Sequence, residues 1–325
     1  MGLQTRMFLL VAIMFAILYG VITAIGYALG ISGTGGAVFY IIIALVFVGI
    51  QYLIGPALVG WTMKVRWVSE QEEPELHRMV AELAEEAHLP KPKVGISQLN
   101  IPNAFAYGRT QRDGRICVTQ GILKLLNKDE LRAVLGHEMS HIKHRDMAVM
   151  ALLSTIPMIL YWIAFSTMFG GLSGASRKNS GSYAALIGMG AFLLYFITNL
   201  LVLYGSRIRE YYADKGSVQL GNRPNQLATA LYKLVNGTAR AKGTQELRKV
   251  EGAKAFFIND PSVAWNELKD ISQIDRNRDG TIDPDELLAV RKMKVRLSLG
   301  ATIKELFTTH PNMLKRIKQL ATYAV

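Results

Sequence analysis

The sequence predicts a mainly α membrane protein: four transmembrane helices carrying an aqueous α+β domain with a small sheet. Three observations predict it. Half of the 325 residues are hydrophobic although the formal net charge is +12, a balance that pairs membrane spans with a charged soluble part. Four apolar runs, residues 7–29, 37–63, 147–172 and 184–206, each reach the roughly 20 residues a helix needs to cross about 30 Å of hydrocarbon. Of the remaining segments, 64–146 mixes helical periodicity with short β-type runs and 207–325 holds further helical stretches.

The first run is too long for a signal-peptide core and lacks a small-x-small cleavage site, so it reads as a retained helix. With the second it makes a hairpin over 7–63, joined by the uncharged ISGTGG. Basic residues flank the ends that lead into the soluble segments: Arg6, Lys64, Arg66, Lys143, Arg145, Arg207 and Arg209. The positive-inside bias therefore puts both termini and the aqueous domain of a multi-pass plasma-membrane protein in the cytoplasm. Arg177 and Lys178, between the third and fourth runs, count against it. The second hairpin, 147–206, returns the chain to the same side, so 64–146 and 207–325 can pack as one domain.

In the first aqueous segment, EEPELHRMVAELAEEAHL has helical spacing, with Pro74 early and acidic residues in the first turn. KVGISQL, NAFAYG and GRICVT read as strands, the last two separated by the turn-rich RTQRDG. Asn127 then caps a helix, KDELRAVLGHEMSHIKHRD.

The single cysteine, Cys117, excludes an intrachain disulfide and a cysteine metal cluster, so a metal would be held by histidine and carboxylate. Basic residues are spread along the chain and gather beside apolar runs, which argues against nucleic acid as a partner. The runs hold no Asp, Glu, Lys, Arg or His in their interiors, which argues against an ion or proton transporter.

On the capped helix, His137 and His141 lie one turn apart on one face and can reach a single zinc ion, with Glu138 placed to act on water. Two surface histidines on an ordinary helix are the alternative. A catalytic zinc site needs a third protein ligand and an open position. RIREYYADKG, after the fourth run, offers Glu210 as that ligand and Asp214 as acceptor for a ligating histidine's second ring proton. Otherwise both only balance Arg207, Arg209 and Lys215. His144 lies further along the same face and is left out as a ligand.

The ordered set NAFAYG, VTQGIL, HEMSHIKHRD, EYYAD and THP resembles the HtpX-type membrane-bound zinc proteases, relatives of the CAAX prenyl endopeptidases, over nearly the whole chain. The resemblance implies a gluzincin domain and zinc metalloendopeptidase activity on membrane or misfolded proteins, in membrane protein quality control under stress. Glu138 would be the general base and His310, in TTHPNMLKRI, the donor to the oxyanion, with Arg316 in support. A plain cap or surface role is the alternative for His310. NAFAYG, with Asn103 and Ala104 at its start, resembles the family's substrate-facing edge strand; a strand buried on both faces is the alternative.

The family's pattern does not include residues 275–286, DRNRDGTIDPDE, set in an EF-hand-like segment of about 261–297. In register, Asp275, Asn277, Asp279, Asp283 and Glu286 supply side chains, Thr281 a carbonyl and Gly280 the turn of one calcium site. Ile282 would point to the core. An acidic turn that binds nothing tightly is the alternative, since no second loop appears to pair with this one. Pairing across a homodimer or use as a structural staple both stay open.

His141 precedes the third run by about six residues and Glu210 follows the fourth as closely, placing the zinc roughly 5–15 Å beyond the membrane boundary. Charged KDELR and HIKHRD around the histidines argue against a site inside the bilayer. The competing function is a calcium-responsive membrane scaffold with an idle zinc site; an intact Glu138 favours the enzyme.

Overall fold

A computed structural model describes residues 52–173, 180–241, 257–259, 263–293 and 299–324, with scattered positions among 5–20, 46–50 and 243–247. The chain is mainly helical with one small mixed sheet. It divides into two compact units, residues 1–55 with 148–205 and residues 56–147 with 206–325.

The second unit begins with β1 (Val65–Trp67) and α1 (Pro74–Ala87). Proline in the first turn starts α1, and Leu76, Met79, Val80, Leu83, Ala84 and Ala87 form its buried face. It stops at His88, whose left-handed backbone (φ 56°) returns its N–H to the last carbonyls. Next come β2 (Lys93–Ser97), β3 (Ala104–Tyr107) and β4 (Arg115–Thr119). The order is β1-β2-β4-β3, with β2 and β4 parallel and the outer pairs antiparallel; β3 is an edge strand, Ala104 opposite Val118 and Tyr107 opposite Arg115. Ala104 and Ala106 join the main core, while Phe105 and Tyr107 pack with Leu99, Ile101, Cys117 and Phe257 on the other face. The NAFAYG strand is thus buried on both faces, and only its outer edge stays open to pairing among the described residues.

After α2 (Gln120–Leu125), Asn127 and Glu130 form a reciprocal capping box that starts α3 (Lys128–Lys143). Almost every side chain of α3 from Leu131 to Ile142 is buried, which makes it the central helix of this unit.

In the first unit, α4 (Asp146–Ser173) and α5 (Ser180–Gln219) carry the third and fourth apolar runs. Within them, Asp146–Phe165 and Ala185–Gln219 are long and apolar enough to cross a membrane. Leu10, Met14, Leu153, Ile156, Leu160 and Val202 pack together, while Trp162, Phe165, Leu186, Phe192 and Phe196 face outward. Thr155, Thr167 and Thr198 return their hydroxyls to carbonyls four residues back, so these three polar hydrogens are not stranded. Most of run 7–29 and the first part of 37–63 lie outside the described residues; among the described residues there are two candidate spans, at the third and fourth predicted runs.

The second unit resumes with the last turns of α5, which carry Glu210 and Asp214, followed by α6 (Pro224–Arg240). Gly216 explains how closely α5 approaches α3: a Cβ there would meet Ser140 Oγ at 2.1 Å, and one at Gly136 would meet Asn222 Nδ2 at 2.4 Å. Then come α7 (Ala264–Ile271), α8 (Pro284–Lys292), α9 (Leu299–Leu306) and α10 (Met313–Ala321). Helices α7 and α8, which flank the 275–286 loop, both pack against α6 and α10. Glu267 of α7 accepts from Met313 N at the start of α10 (3.0 Å), and Asn312 caps the next amide, Leu314 N (3.0 Å).

Candidate metal centre

The four-residue spacing on α3 puts His137 and His141 on one face, with Nε2 atoms 3.1 Å apart. Close packing of α5 brings Glu210 to them: Oε2 lies 3.6 Å from His137 Nε2 and Oε1 lies 3.6 Å from His141 Nε2. These are the described residues' one group of three His, Cys, Asp or Glu ligand atoms within 4.8 Å of one another, and all three are buried.

The opposite ring nitrogens are fixed by carboxylates. His137 Nδ1 donates to Asp214 Oδ1 (2.9 Å) and His141 Nδ1 to Asp146 Oδ2 (2.6 Å), so both Nε2 atoms turn to one point. Asp146 sits just past the end of α3 and reaches back because Arg145 takes a left-handed conformation (φ 54°). Arg209 lies 3.1 Å from the same carboxylate. The sequence reading missed Asp146; the signal was an acidic residue five after His141, beyond a helix end whose turn could not be foreseen. His144 is the C-cap and gives its Nδ1 to the Ser140 carbonyl (2.8 Å), away from the histidine pair.

Arg316, fully buried on α10, braces the carboxylates. Its Nε and Nη2 donate to Asp214 (2.9 and 2.7 Å), while Nη1 lies 3.0 Å from Glu210 Oε2 and donates to the Ile258 carbonyl (3.0 Å). His310 is also buried, with Nδ1 3.3 Å from Glu210 Oε2. Neither His310 nitrogen nor Glu210 Oε2 has an aligned hydrogen-bond partner. Such orphaned polar atoms in an enclosed site are costly alone and fit a cation held between them.

Charge follows the same logic. Burial would raise the Glu210 carboxyl, but His310 and Arg316 hold it well below the usual carboxylate range. Burial would likewise raise Asp214, but Arg316 and His137 keep it low. Burial pushes His137 down, yet the Asp214 and Glu210 carboxylates beside it carry it up to about 9, a proton standing where a metal would. Two nitrogens and a carboxylate suit zinc: ligands about 2.0–2.2 Å from a tetrahedral ion stand about 3.3–3.6 Å apart.

Glu138 is buried beside His137 on the side of β4, where its charge adds to the burial that pushes the Cys117 thiol up to about 12. Asn103 stands at the start of β3 with its side chain accepting from Ile258 N (2.9 Å) and its amide donating to Thr119 Oγ1 (2.9 Å). Ala104 is buried as the first residue of that strand.

The 275–286 loop forms between α7 and α8. Gly280 (φ 83°) makes its turn, and Asp283 and Glu286 form the capping box of α8. Asp275 accepts from Asp279 N and Gly280 N, Glu286 from Arg276 N, and Asp279 from Thr281. No three of its carboxylates converge as the zinc-type ligands do. Ile282 is fully buried, and Thr229 of α6 bonds both its N–H (2.8 Å) and its carbonyl (3.1 Å).

Residues 70–324 match the family described as Peptidase family M48. The chain is 52% identical over 233 residues to a Protease HtpX homolog of Methanothermobacter thermautotrophicus, covering 72% of this chain and 86% of that protein. It is 35% identical over 321 residues to Protease HtpX homolog 2 of Methanosarcina acetivorans, covering 98% and 95%. Among solved structures, it is similar to the crystal structure of S. mikatae Ste24p, with TM-score 0.49 and 15% identity, covering 95% of this chain and 64% of that one.

Proposed function

We propose, from the premise that this chain belongs to peptidase family M48, that it is a membrane-bound zinc endopeptidase cleaving membrane or misfolded proteins at the cytoplasmic membrane surface. The observation that carries this is the convergence of His137, His141 and Glu210, with both histidines oriented by carboxylates and Glu138 alongside. When bound there, zinc supplies Lewis acidity toward the scissile carbonyl and the attacking water. Glu138 takes a proton from that water and passes it to the leaving amine. His310 donates to the oxygen on which negative charge develops. Arg316 acts through its neighbours, holding Glu210 and Asp214 in place.

An extended peptide fits the open edge of β3, beginning at Asn103 and Ala104, because backbone hydrogen bonds accept many side-chain sequences. Basic residues flanking the apolar runs support a multi-pass topology with the protease domain in the cytoplasm, and the resemblance to the HtpX-type proteases extends this to a plasma-membrane role in membrane protein quality control. We further assign one calcium ion to the 275–286 loop, on the spacing of its ligands, the glycine at its turn and the buried Ile282. A calcium-responsive scaffold with an idle zinc site is not favoured, since Glu138 is in place and the relatives are named proteases.

The test is hydrolysis of an unfolded protein such as casein by wild type and Glu138→Gln, with metal analysis of both. The variant should keep its zinc and lose activity by about 10²–10⁴-fold. Equal activity in the two proteins would overturn the mechanism.

A further inference from the structure

Helix α9 (Leu299–Leu306) carries an apolar stripe that the metal centre does not use. Ile303, Leu306 and Phe307, spaced as neighbours on one helix face, are 56, 48 and 51% exposed. Lys304 beside them is exposed as well. Scattered apolar side chains on a surface need no explanation, but three of this size together on one turn do.

The end of α9 is tied to one place. Arg207 Nη1 donates to the carbonyls of Glu305 (2.8 Å), Leu306 (3.2 Å) and Thr308 (2.9 Å), a cation on the last turn of a helix. Arg207 is the first charged residue after the apolar run 184–206, on the same continuous helix α5. From there the chain is held to His310: Thr308 Oγ1 donates to the His310 carbonyl (2.8 Å), and Glu305 accepts from Asn312 N (3.1 Å). The other apolar run that enters this unit, 37–63, also ends in an exposed aromatic, Trp61, 80% exposed. Aromatic and basic residues at the ends of apolar runs are what a membrane–water boundary collects.

We propose that α9 is an interfacial helix: Ile303, Leu306 and Phe307 enter the lipid at the headgroup–acyl boundary, with Lys304 against anionic headgroups. The continuity from span to Arg207 to the α9 carbonyls selects a bilayer as the occupant of this face. The proposal rests on reading 184–206 as a membrane span. Its consequence for the enzyme is that lipid contact on α9 fixes the depth at which His310 is presented.

The test places single cysteines at Leu306→Cys, Phe192→Cys and Glu82→Cys and labels each with a polarity-sensitive fluorophore; Cys117 is fully buried and stays unlabelled. The full-length protein is reconstituted in phosphatidylcholine–phosphatidylglycerol nanodiscs, with or without lipids bearing a nitroxide near the top of the acyl chain. The Leu306 probe should be quenched about twofold or more by the lipid nitroxide and little by aqueous iodide, as for a side chain about 5–10 Å into the interface. The Phe192 probe, on the span, should be quenched by lipid and the Glu82 probe, on α1, by iodide. Quenching of Leu306 by iodide alone would overturn the proposal. So would shielding from both quenchers, which would mean that a second copy of the chain covers α9. If Phe192 shows no lipid quenching, the span reading fails, and the proposal falls with it.

Discussion

His141 shows how much of the metal centre depends on single atoms. Its Nδ1–H is held by Asp146, and only that bond leaves Nε2 facing His137 and Glu210. Replacing Asp146 with Asn keeps an acceptor but removes the charge that makes the ring a better ligand. Zinc affinity, measured by competition with a chelator, should fall about 10–100-fold. Unchanged affinity would take Asp146 out of the site. Asp214, its counterpart on His137, was legible in the sequence because four-residue spacing from Glu210 puts both on one helical face. Asp146 was not, since its reach depends on the left-handed turn at Arg145, which no residue preference announces. For Arg316 the sequence named the residue but not its work: the guanidinium is committed to Asp214, Glu210 and Ile258.

At the scale of elements, periodicity and capping carried most of the reading. Asn127 starts α3 as expected, and KVGIS, AFAY and RICVT are strands. The sequence changes from apolar to charged after residue 206, yet α5 runs through that change as one helix of 40 residues, because no Gly-Pro or cap signal interrupts it. The 275–286 loop illustrates a different gap. It has no second loop to pair with, yet the backbone groups of Ile282 are satisfied by one hydroxyl, that of Thr229, a partner 53 residues away that no local pattern reveals. Thr229→Val should therefore cost about 1–3 kcal/mol by stranding buried backbone groups. Calcium should raise the melting temperature of wild type and leave Glu286→Gln unmoved. A wild-type melting temperature that is the same in calcium and in chelator would remove the assigned ion.

For the whole molecule, metal and pH are linked through His137. Its folded pKa, about 9, lies above the ordinary 6.5 because Asp214 and Glu210 outweigh the effect of burial. In chelator-stripped protein this raised group stabilises the fold fully below about pH 6.5, and that contribution is lost as pH rises through about 9. Stripped protein should thus lose at most about 3 kcal/mol of stability across that window, read as a falling melting temperature. Zinc displaces the proton, so zinc-loaded protein should show no such fall. A stripped protein that is equally stable at both ends would refute the linkage.

The centre is also assembled from distant parts of the chain. His137 and His141 precede the second apolar hairpin, Glu210 follows it, and Arg316 comes 175 residues after His141. At a synthesis rate of about 5–20 residues per second, roughly 10–35 s separate the making of His141 from the making of Arg316. During that interval a nascent chain holds Glu138 and the two histidines but lacks the arginine that braces Glu210 and Asp214. The order of translation thus acts as a timer, keeping the metal centre incomplete until both helices of the second apolar hairpin have already been made.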